Sequence, residues 1–117
     1  MRLRLIAASL ALIALAGCHS PYVNATIANR TGGPITELQI DYPSASFGAN
    51  TLADGADLHY RFKLQGSGQL KLSYTDAQHQ DHVIPGPTLY EGQQGTLRIT
   101  INLPGNAAFA PSLTPAH

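Results

Sequence analysis

The chain has one cysteine, no tryptophan and, apart from its first residue, no methionine. A single cysteine excludes an internal disulfide and any metal or iron–sulfur site that needs several thiolates. Charged residues make up only 12% of the 117 positions, and no basic run typical of nucleic-acid binding is present, so we predict no nucleic-acid partner. The hydrophobic fraction of 44% nevertheless indicates a folded domain.

Motifs of catalytic and nucleotide-binding proteins are also missing. The chain has no Gly-x-Ser-x-Gly elbow and no Ser-x-x-Lys pair, and no glycine-rich loop precedes a helical segment. Two acidic pairs lie in predicted turns, Asp54 with Asp57 and Asp76 with Asp81. Aspartate is common in turns because its carboxylate accepts hydrogen bonds from the local backbone. We therefore predict that the protein is not an enzyme and uses no cofactor.

The first seventeen residues have the organisation of an export signal. Arg2 and Arg4 form a basic n-region, and residues 5–16 are almost entirely Leu, Ile and Ala. About twelve apolar residues would span roughly 18 Å as a helix, which is short of the ~30 Å hydrocarbon core of a bilayer. Residues 1–17 are therefore predicted to be a cleaved signal and not a membrane span.

Two cleavage sites fit this signal, and they differ in what happens to the cysteine. Ala14-Leu15-Ala16 satisfies the small-x-small rule of ordinary signal cleavage, which would leave the Cys18 thiol unpaired in an oxidising compartment. Leu15-Ala16-Gly17-Cys18 instead resembles the lipobox of bacterial lipoproteins. That resemblance implies a diacylglycerol thioether on Cys18, cleavage before it, and acylation of the new amino group by a fatty acid such as palmitate. Anchoring becomes stable once more than one acyl chain is present.

The resemblance also bears on location. His19 follows the cysteine at the position where the inner-membrane retention signal of lipoproteins has Asp, so anchoring in the outer membrane, facing the periplasm, is expected in preference to the inner membrane. After cleavage five basic and seven acidic residues remain, a formal net charge of −2. Because an acidic domain without a basic patch gains nothing from anionic lipid, we expect the acyl chains alone to hold it. Two N-x-Thr glycosylation patterns, at Asn24 and Asn29, matter only in a eukaryotic secretory pathway, which the lipobox argues against.

Beyond residue 21, apolar and polar residues alternate with the period of half-buried strands. The alternation is plainest at 58–64, 70–74 and 97–103, and weaker at 23–27 and 38–42. Turn residues separate these segments, and no window of the mature chain has the spacing of an amphipathic helix. We predict an all-β domain over 22–103, namely a single antiparallel β-sandwich of about six to seven strands, immunoglobulin-like in general shape, after the cleaved signal peptide.

The connections and ends of this domain carry further expectations. Gln65-Gly-Ser-Gly68 joins two of the plainest alternating segments, so 58–64 and 70–74 are expected to pair as a hairpin. Residues 18–21 would form the lipidated N-terminus and a short tether. Residues 104–117 contain three prolines and no charge, which predicts a flexible tail, with docking of Phe109 on the domain as the alternative.

Aromatic side chains are expected to supply much of the small core. Those on the inward faces of the predicted strands are Tyr42, Tyr60, Phe62 and Tyr74. Those outside the plain strands, and therefore expected to be exposed, are Tyr22, Phe47 and Tyr90.

The densest polar cluster places two histidines and two aspartates within seven residues: Asp76, His79, Asp81 and His82. Imidazole and carboxylate are ligands for Zn²⁺, Cu²⁺ and Ni²⁺. His-x-x-His aligns both rings only on a helix, whereas this stretch follows a predicted strand, so we predict a solvated loop without a metal. A metal site would require His79, His82 and one of Asp76, Asp81 or His59 within about 5 Å of one another.

Two functions from different classes fit these observations. The first is a membrane-anchored, non-catalytic lipoprotein of the bacterial cell envelope that acts as a protein-interaction or structural module through strand edges or loops. The alternative is a small-ligand or metal-binding lipoprotein that uses the His79/His82 loop. Residues 19–21 place the first predicted strand about 10–15 Å from the lipidated cysteine, so a protein partner is expected to be membrane-proximal.

Overall fold

The computed structural model describes residues 22–103 and 105–114, and every regular element in them is a β-strand. The signal segment 1–17, Cys18 and the tether residues 19–21 lie outside the described residues. The strands in chain order are β1 (Val23–Arg30), β2 (Ile35–Tyr42), β3 (Ala45–Leu52), β4 (Asp57–Phe62), β5 (Gly68–Thr75), β6 (Asp81–Leu89), β7 (Gln94–Asn102) and β8 (Asn106–Thr114). Over those two ranges we find no helix with the length and hydropathy of a membrane span.

The strands form two four-stranded sheets that enclose one core. Sheet A has the order β4-β1-β7-β8, and sheet B has the order β3-β2-β5-β6. The alternation seen in the sequence sends one side of each strand inward, as in β5 with Leu70, Leu72 and Tyr74. The all-β prediction is confirmed and the fold is β-sandwich-like, but residues 22–103 and 105–114 form eight strands where about six to seven were expected.

One pair among the described strands is parallel. β1 runs antiparallel to β4 but parallel to β7, from Val23 opposite Gly95 to Arg30 opposite Asn102. The expectation of antiparallel pairing throughout is therefore wrong for sheet A. The alternating pattern could not reveal this, because either direction of β7 would leave the same β1 side chains facing the core.

The predicted hairpin between 58–64 and 70–74 is also wrong. β4 lies in sheet A and pairs with β1, whereas β5 lies in sheet B between β2 and β6. After β4 the chain inserts Leu64 into the core and crosses to the other sheet. The Tyr42 hydroxyl secures this crossing by donating to the carbonyl oxygen of Gly66 at 2.5 Å. The glycine-rich segment is an intersheet connection and not a hairpin turn.

The C-terminal segment is a strand over most of its length. β8 pairs antiparallel with all of β7, and Phe109 lies opposite Ile99 and packs against the core. The flexible-tail prediction is wrong for 106–114, the alternative of a docked Phe109 is confirmed, and the domain extends to Thr114. Pro111 is tolerated because β8 is an edge strand, where a proline need not interrupt a ladder on both sides. Pro104 and residues 115–117 lie outside the described residues.

The expectations for the aromatic side chains are confirmed at four positions and wrong at Tyr22, Phe47 and Tyr60. Tyr42, Phe62 and Tyr74 are buried and Tyr90 is exposed, as predicted, while Tyr22 is half-buried. Tyr60, expected in the core, is 44% exposed, and Phe47, expected at the surface, is 7% exposed. The two rings stack with centroids 4.3 Å apart. Tyr60 is exposed because it points inward from an edge strand and caps Phe47 at the border of the two sheets.

Candidate functional site

The loop between β5 and β6, where the sequence concentrates imidazole and carboxylate, is organised by Asp76. Its Oδ1 accepts hydrogen bonds from the backbone N–H groups of Gln78 and Gln80, both at 2.9 Å. Its Oδ2 lies 2.7 Å from Nε2 of His82. The hydrogen bond from His82, followed by that from the Gln80 N–H, holds the pKa of the Asp76 carboxyl below its usual value.

His82 is held in place from three sides. Its ring stacks on Tyr74 with centroids 4.9 Å apart, and Asp76 fixes Nε2. On the third side a Cβ added at Gly105 would lie 2.6 Å from the ring, so the backbone of that glycine closes over the imidazole. The His82–Asp76 pair thus fixes the β5–β6 loop against the β7–β8 turn and has little freedom to turn towards a ligand.

The remaining candidate ligands point elsewhere. Asp81 accepts a hydrogen bond from the Thr75 hydroxyl at 2.7 Å, and His59 contacts Thr26 at 3.1 Å on the opposite sheet. His79 occupies the turn with a positive φ of 62°. In the part of the chain that the structure describes, no group of three His, Cys, Asp or Glu side chains could hold a metal ion. The convergence required by the metal hypothesis is therefore not found among these residues.

A groove of about 910 Å³ crosses the outer face of sheet B and was not predicted. We call it the sheet B groove; its outward-facing lining is Glu37, Gln39, Ser46, Asn50, Ser73, Thr75, Asp81 and Val83. The lining is mostly polar, and Val83 contributes an apolar side chain that is 65% exposed. This surface exposes amide, hydroxyl and carboxylate groups to solvent.

Two backbone features shape the sheet B groove. Glu37 has a positive φ of 52°, and the register between β2 and β5 shifts between Thr36 and Gln39, which marks a bulge. Opposite the bulge a Cβ at Gly48 would overlap the carbonyl oxygen of Leu38, so only glycine fits there. Glycine at this position was the signal in the sequence, but it has meaning only once its partner strand is known.

Beside the groove, Asp41 gathers a small polar network. It accepts hydrogen bonds from Gln39 Nε2 at 2.7 Å and from the Ser46 hydroxyl, and Lys71 Nζ lies 3.8 Å away. The Ser46 and Gln39 hydrogen bonds, with the Lys71 charge, lower the pKa of the Asp41 carboxyl. These contacts favour the ionised form of the Asp41 carboxyl, which is paired with Lys71.

The comparisons with known proteins bear on the fold. No family model and no curated protein matches the sequence. The chain is similar to a protein from Eubacterium rectale solved by NMR, with 9% sequence identity and a TM-score of 0.56 over 80% of this chain and 93% of that one. At this identity the similarity extends to the fold alone.

Proposed function

We propose that the protein is a lipid-anchored component of the bacterial cell envelope, carried on Cys18 in the outer membrane and facing the periplasm. Its β-sandwich, immunoglobulin-like in outline, acts as a non-catalytic protein-interaction or structural module. The observation that carries the proposal is the sequence Leu15-Ala16-Gly17-Cys18, which directly follows a basic n-region and an apolar h-region.

The position of the domain on the chain supports this proposal. β1 begins at Val23, so only 19–22 separate the domain from Cys18. At ~3.5 Å per residue the domain stays within about 10–15 Å of the bilayer, and a partner must be membrane-proximal.

The polar side chains also support a non-catalytic role. Asp76 and Asp81, which could assist acid–base chemistry, are bonded to His82 and Thr75 within their own hairpin. The sheet B groove instead presents a broad open surface, which suits contact with another protein.

The anchor is tested by replacing Cys18 with Ser in the native host. We expect Cys18→Ser to abolish incorporation of labelled palmitate and to move the protein to the soluble fraction, while its circular dichroism stays that of a β-sandwich. Ser20→Ala, two residues away and outside the lipobox, serves as the matched control and should remain labelled and membrane-bound. A free thiol on Cys18 in the mature wild-type protein, measured by mass spectrometry, would contradict the proposal.

The interaction surface is tested by photo-crosslinking at two positions of similar exposure. Val83 lies in the sheet B groove, and Leu103, 61% exposed, lies at the turn before β8. A crosslinking amino acid at Val83 should capture an envelope protein reproducibly, and the same group at Leu103 should not. Equal capture at both positions, or none at Val83, would count against the groove as the contact surface.

A further inference from the structure

The outer face of sheet A brings Arg98 close to three basic residues of one segment, His59, Arg61 and Lys63. Strand register places Arg61 beside Asn24 and Thr96, and the next outward row contains His59, Thr26 and Arg98. Lys63 follows directly after β4 at the same end. We call Arg61, Lys63, Arg98 and His59 the basic face; all four side chains are exposed.

The cations of the basic face are not neutralised by carboxylates. Among the residues described, ion pairs within 4.0 Å involve Arg30 with Asp57, Lys71 with Asp41, and His82 with Asp76, and none involves Arg61, Lys63 or Arg98. The one acidic residue on the outer side of the sheet A strands is Asp57. Its Oδ1 forms an ion pair with the Arg30 guanidinium at 3.1 Å. The basic face therefore presents its positive charges to solvent.

The opposite face of the sandwich has the reverse charge. Sheet B turns Glu37, Asp41 and Asp81 outward and carries a single cation, Lys71, which is paired with Asp41. The net charge of −2 expected after cleavage of residues 1–17 hides this separation, because the acidic residues of sheet B and of the loops outnumber the cations of sheet A. The expectation that the domain has no basic patch is thus wrong in three dimensions.

The chain enters the domain at the edge of the basic face. Tyr22, the residue before β1, lies beneath the Arg61 guanidinium at 4.2 Å and the Lys63 ammonium at 5.5 Å from its ring centroid. The segment that leads to Cys18 therefore starts between these two cations. A lipid anchor at Cys18 would hold them within a few residues' length of the bilayer surface.

We propose that the basic face binds the anionic phospholipid headgroups of the membrane in which Cys18 is anchored. This proposal rests on the lipid anchor proposed above. The sandwich then lies on sheet A, and the sheet B groove faces away from the bilayer towards the periplasm. The acyl chains supply attachment, and the basic face supplies orientation.

Charge complementarity favours anionic lipid as the occupant. Each Lys or Arg near an anionic bilayer shifts the bound population by about fivefold. The tether already confines the domain to the surface, so a few such contacts are enough to select one orientation. The acidic face of sheet B is repelled by the same surface, which strengthens the preference.

The experiment uses the mature protein as purified from the native host, reconstituted in vesicles of phosphatidylcholine alone or with roughly one-third phosphatidylglycerol. One sample carries a fluorescent label at Thr96→Cys, between the cations of the basic face, and another carries it at Asn50→Cys in the sheet B groove. We expect an aqueous quencher to reach the Asn50 label on both vesicles and to reach the Thr96 label only on phosphatidylcholine. High salt should re-expose the Thr96 label, because the Debye length falls to about 3 Å at 1 M.

Charge variants provide the matched controls. Arg61→Gln and Arg98→Gln should each lower the ratio of protected to exposed Thr96 label by up to about fivefold. Lys71→Gln removes the same charge from sheet B and should not reduce it. Equal effects of all three variants would overturn the proposal.

The outcomes separate this proposal from the anchor on which it rests. Protein that does not associate with any vesicle contradicts the lipid anchor. Protein that associates with both vesicles but leaves both labels equally accessible retains the anchor and overturns the orientation. Protection of the Thr96 label by DNA without vesicles, and not by anionic vesicles, would overturn it in favour of a nucleic acid.

Discussion

Asn29 is fully buried, yet each polar atom of its side chain has a partner. Nδ2 donates to the carbonyl oxygens of Gly33 at 2.9 Å, Leu52 at 3.0 Å and Ala53 at 3.2 Å. Oδ1 accepts from the Thr31 N–H at 3.1 Å and the Thr31 hydroxyl at 2.7 Å. One amide therefore ties the β1–β2 turn to the end of β3 and the turn that follows it. In the sequence, Asn29 stood out only through the glycosylation pattern Asn29-Arg-Thr31. A fully buried side chain cannot accept a glycan.

Replacing Asn29 tests how much this hydrogen-bond network contributes to the stability of the domain. Asn29→Ala should lower the free energy of unfolding by about 3 kcal/mol, because it removes the acceptor of the buried Thr31 N–H and the side-chain donor to the Leu52 carbonyl oxygen. Asn24→Ala, an exposed asparagine on the same strand, should change stability by less than about 0.5 kcal/mol. Urea unfolding followed by circular dichroism measures both. Equal effects of the two variants would show that the network contributes little.

The lowered pKa of Asp76 predicts how the stability of the domain changes with pH. Its pKa is lowered in the folded protein, chiefly by the hydrogen bond from His82, so the unfolded chain binds the proton more tightly. The stabilisation is therefore present above about pH 4 and is lost as the pH falls through the folded-state pKa. Asp76→Asn should be less stable than wild type at pH 7, and the difference should shrink as the pH falls below about 4.

The control for this prediction is Gln78→Ala, which leaves the Asp76 carboxylate in place in the same loop. It should keep the wild-type shape of stability against pH in urea titrations. A loss in Asp76→Asn that is the same size at pH 2 and pH 7 would mean that the carboxylate acts only through its shape.

At the scale of elements, the strands that the sequence did not indicate are edge strands. β3 and β6 border sheet B, and β8 borders sheet A. An edge strand buries less of each side chain, so its apolar and polar residues need not alternate, and it tolerates the prolines found in β6 and β8. The central strands β1, β2, β5 and β7 pair with a neighbour on both sides and show the pattern, and so does β4, an edge strand that still turns Phe62 into the core. This is why the fold class could be predicted while the strand count and the C-terminal boundary could not.

The candidate site was predictable only in part for a related reason. The cluster at 76–82 could be identified from the sequence, because all of its residues belong to one loop and its ends. The sheet B groove combines residues from four strands, and the basic face adds Arg98 of β7 to the basic residues at 59–63, across β1. Their existence depends on which strands are neighbours, and alternation alone carries no information about neighbours.

Gly48 gives a test of the contact that shapes the sheet B groove. Gly48→Ala should destabilise the domain by about 2–3 kcal/mol, because the new Cβ would overlap backbone atoms of Leu38 that cannot move aside without disturbing β2. Asn50→Ala, on the same outer face of β3, should stay within about 0.5 kcal/mol of wild type in thermal unfolding. A fully stable Gly48→Ala protein would contradict the close approach of β3 to the bulge.

At the scale of the whole molecule, sheet A joins the two ends of the described chain. β1 lies between β4 and β7, and β8 completes the sheet by pairing with β7. Folding of this sheet therefore requires contacts between residues that are distant in sequence. No disulfide supports them, so stability rests on packing and hydrogen bonds that involve most of the chain.

This arrangement makes the C-terminal strand part of the folding unit, and a truncation series tests it. Deleting residues 106–117 removes the β7 ladder partner and the packing of Ala107, Phe109 and Leu113 on the core. The loss is about 5–8 kcal/mol, comparable with the total stability of a small domain, so the truncated protein should lose its cooperative urea transition. Deleting only 115–117 should leave the transition unchanged, and Phe109→Ala should lower its midpoint through a loss of about 2 kcal/mol. A chain lacking 106–117 that unfolds at the wild-type midpoint would show that the sandwich is complete without β8. The expected order of stability loss, largest for the 106–117 deletion, smaller for Phe109→Ala and absent for the 115–117 deletion, would place the C-terminal strand in the same cooperative unit as β1.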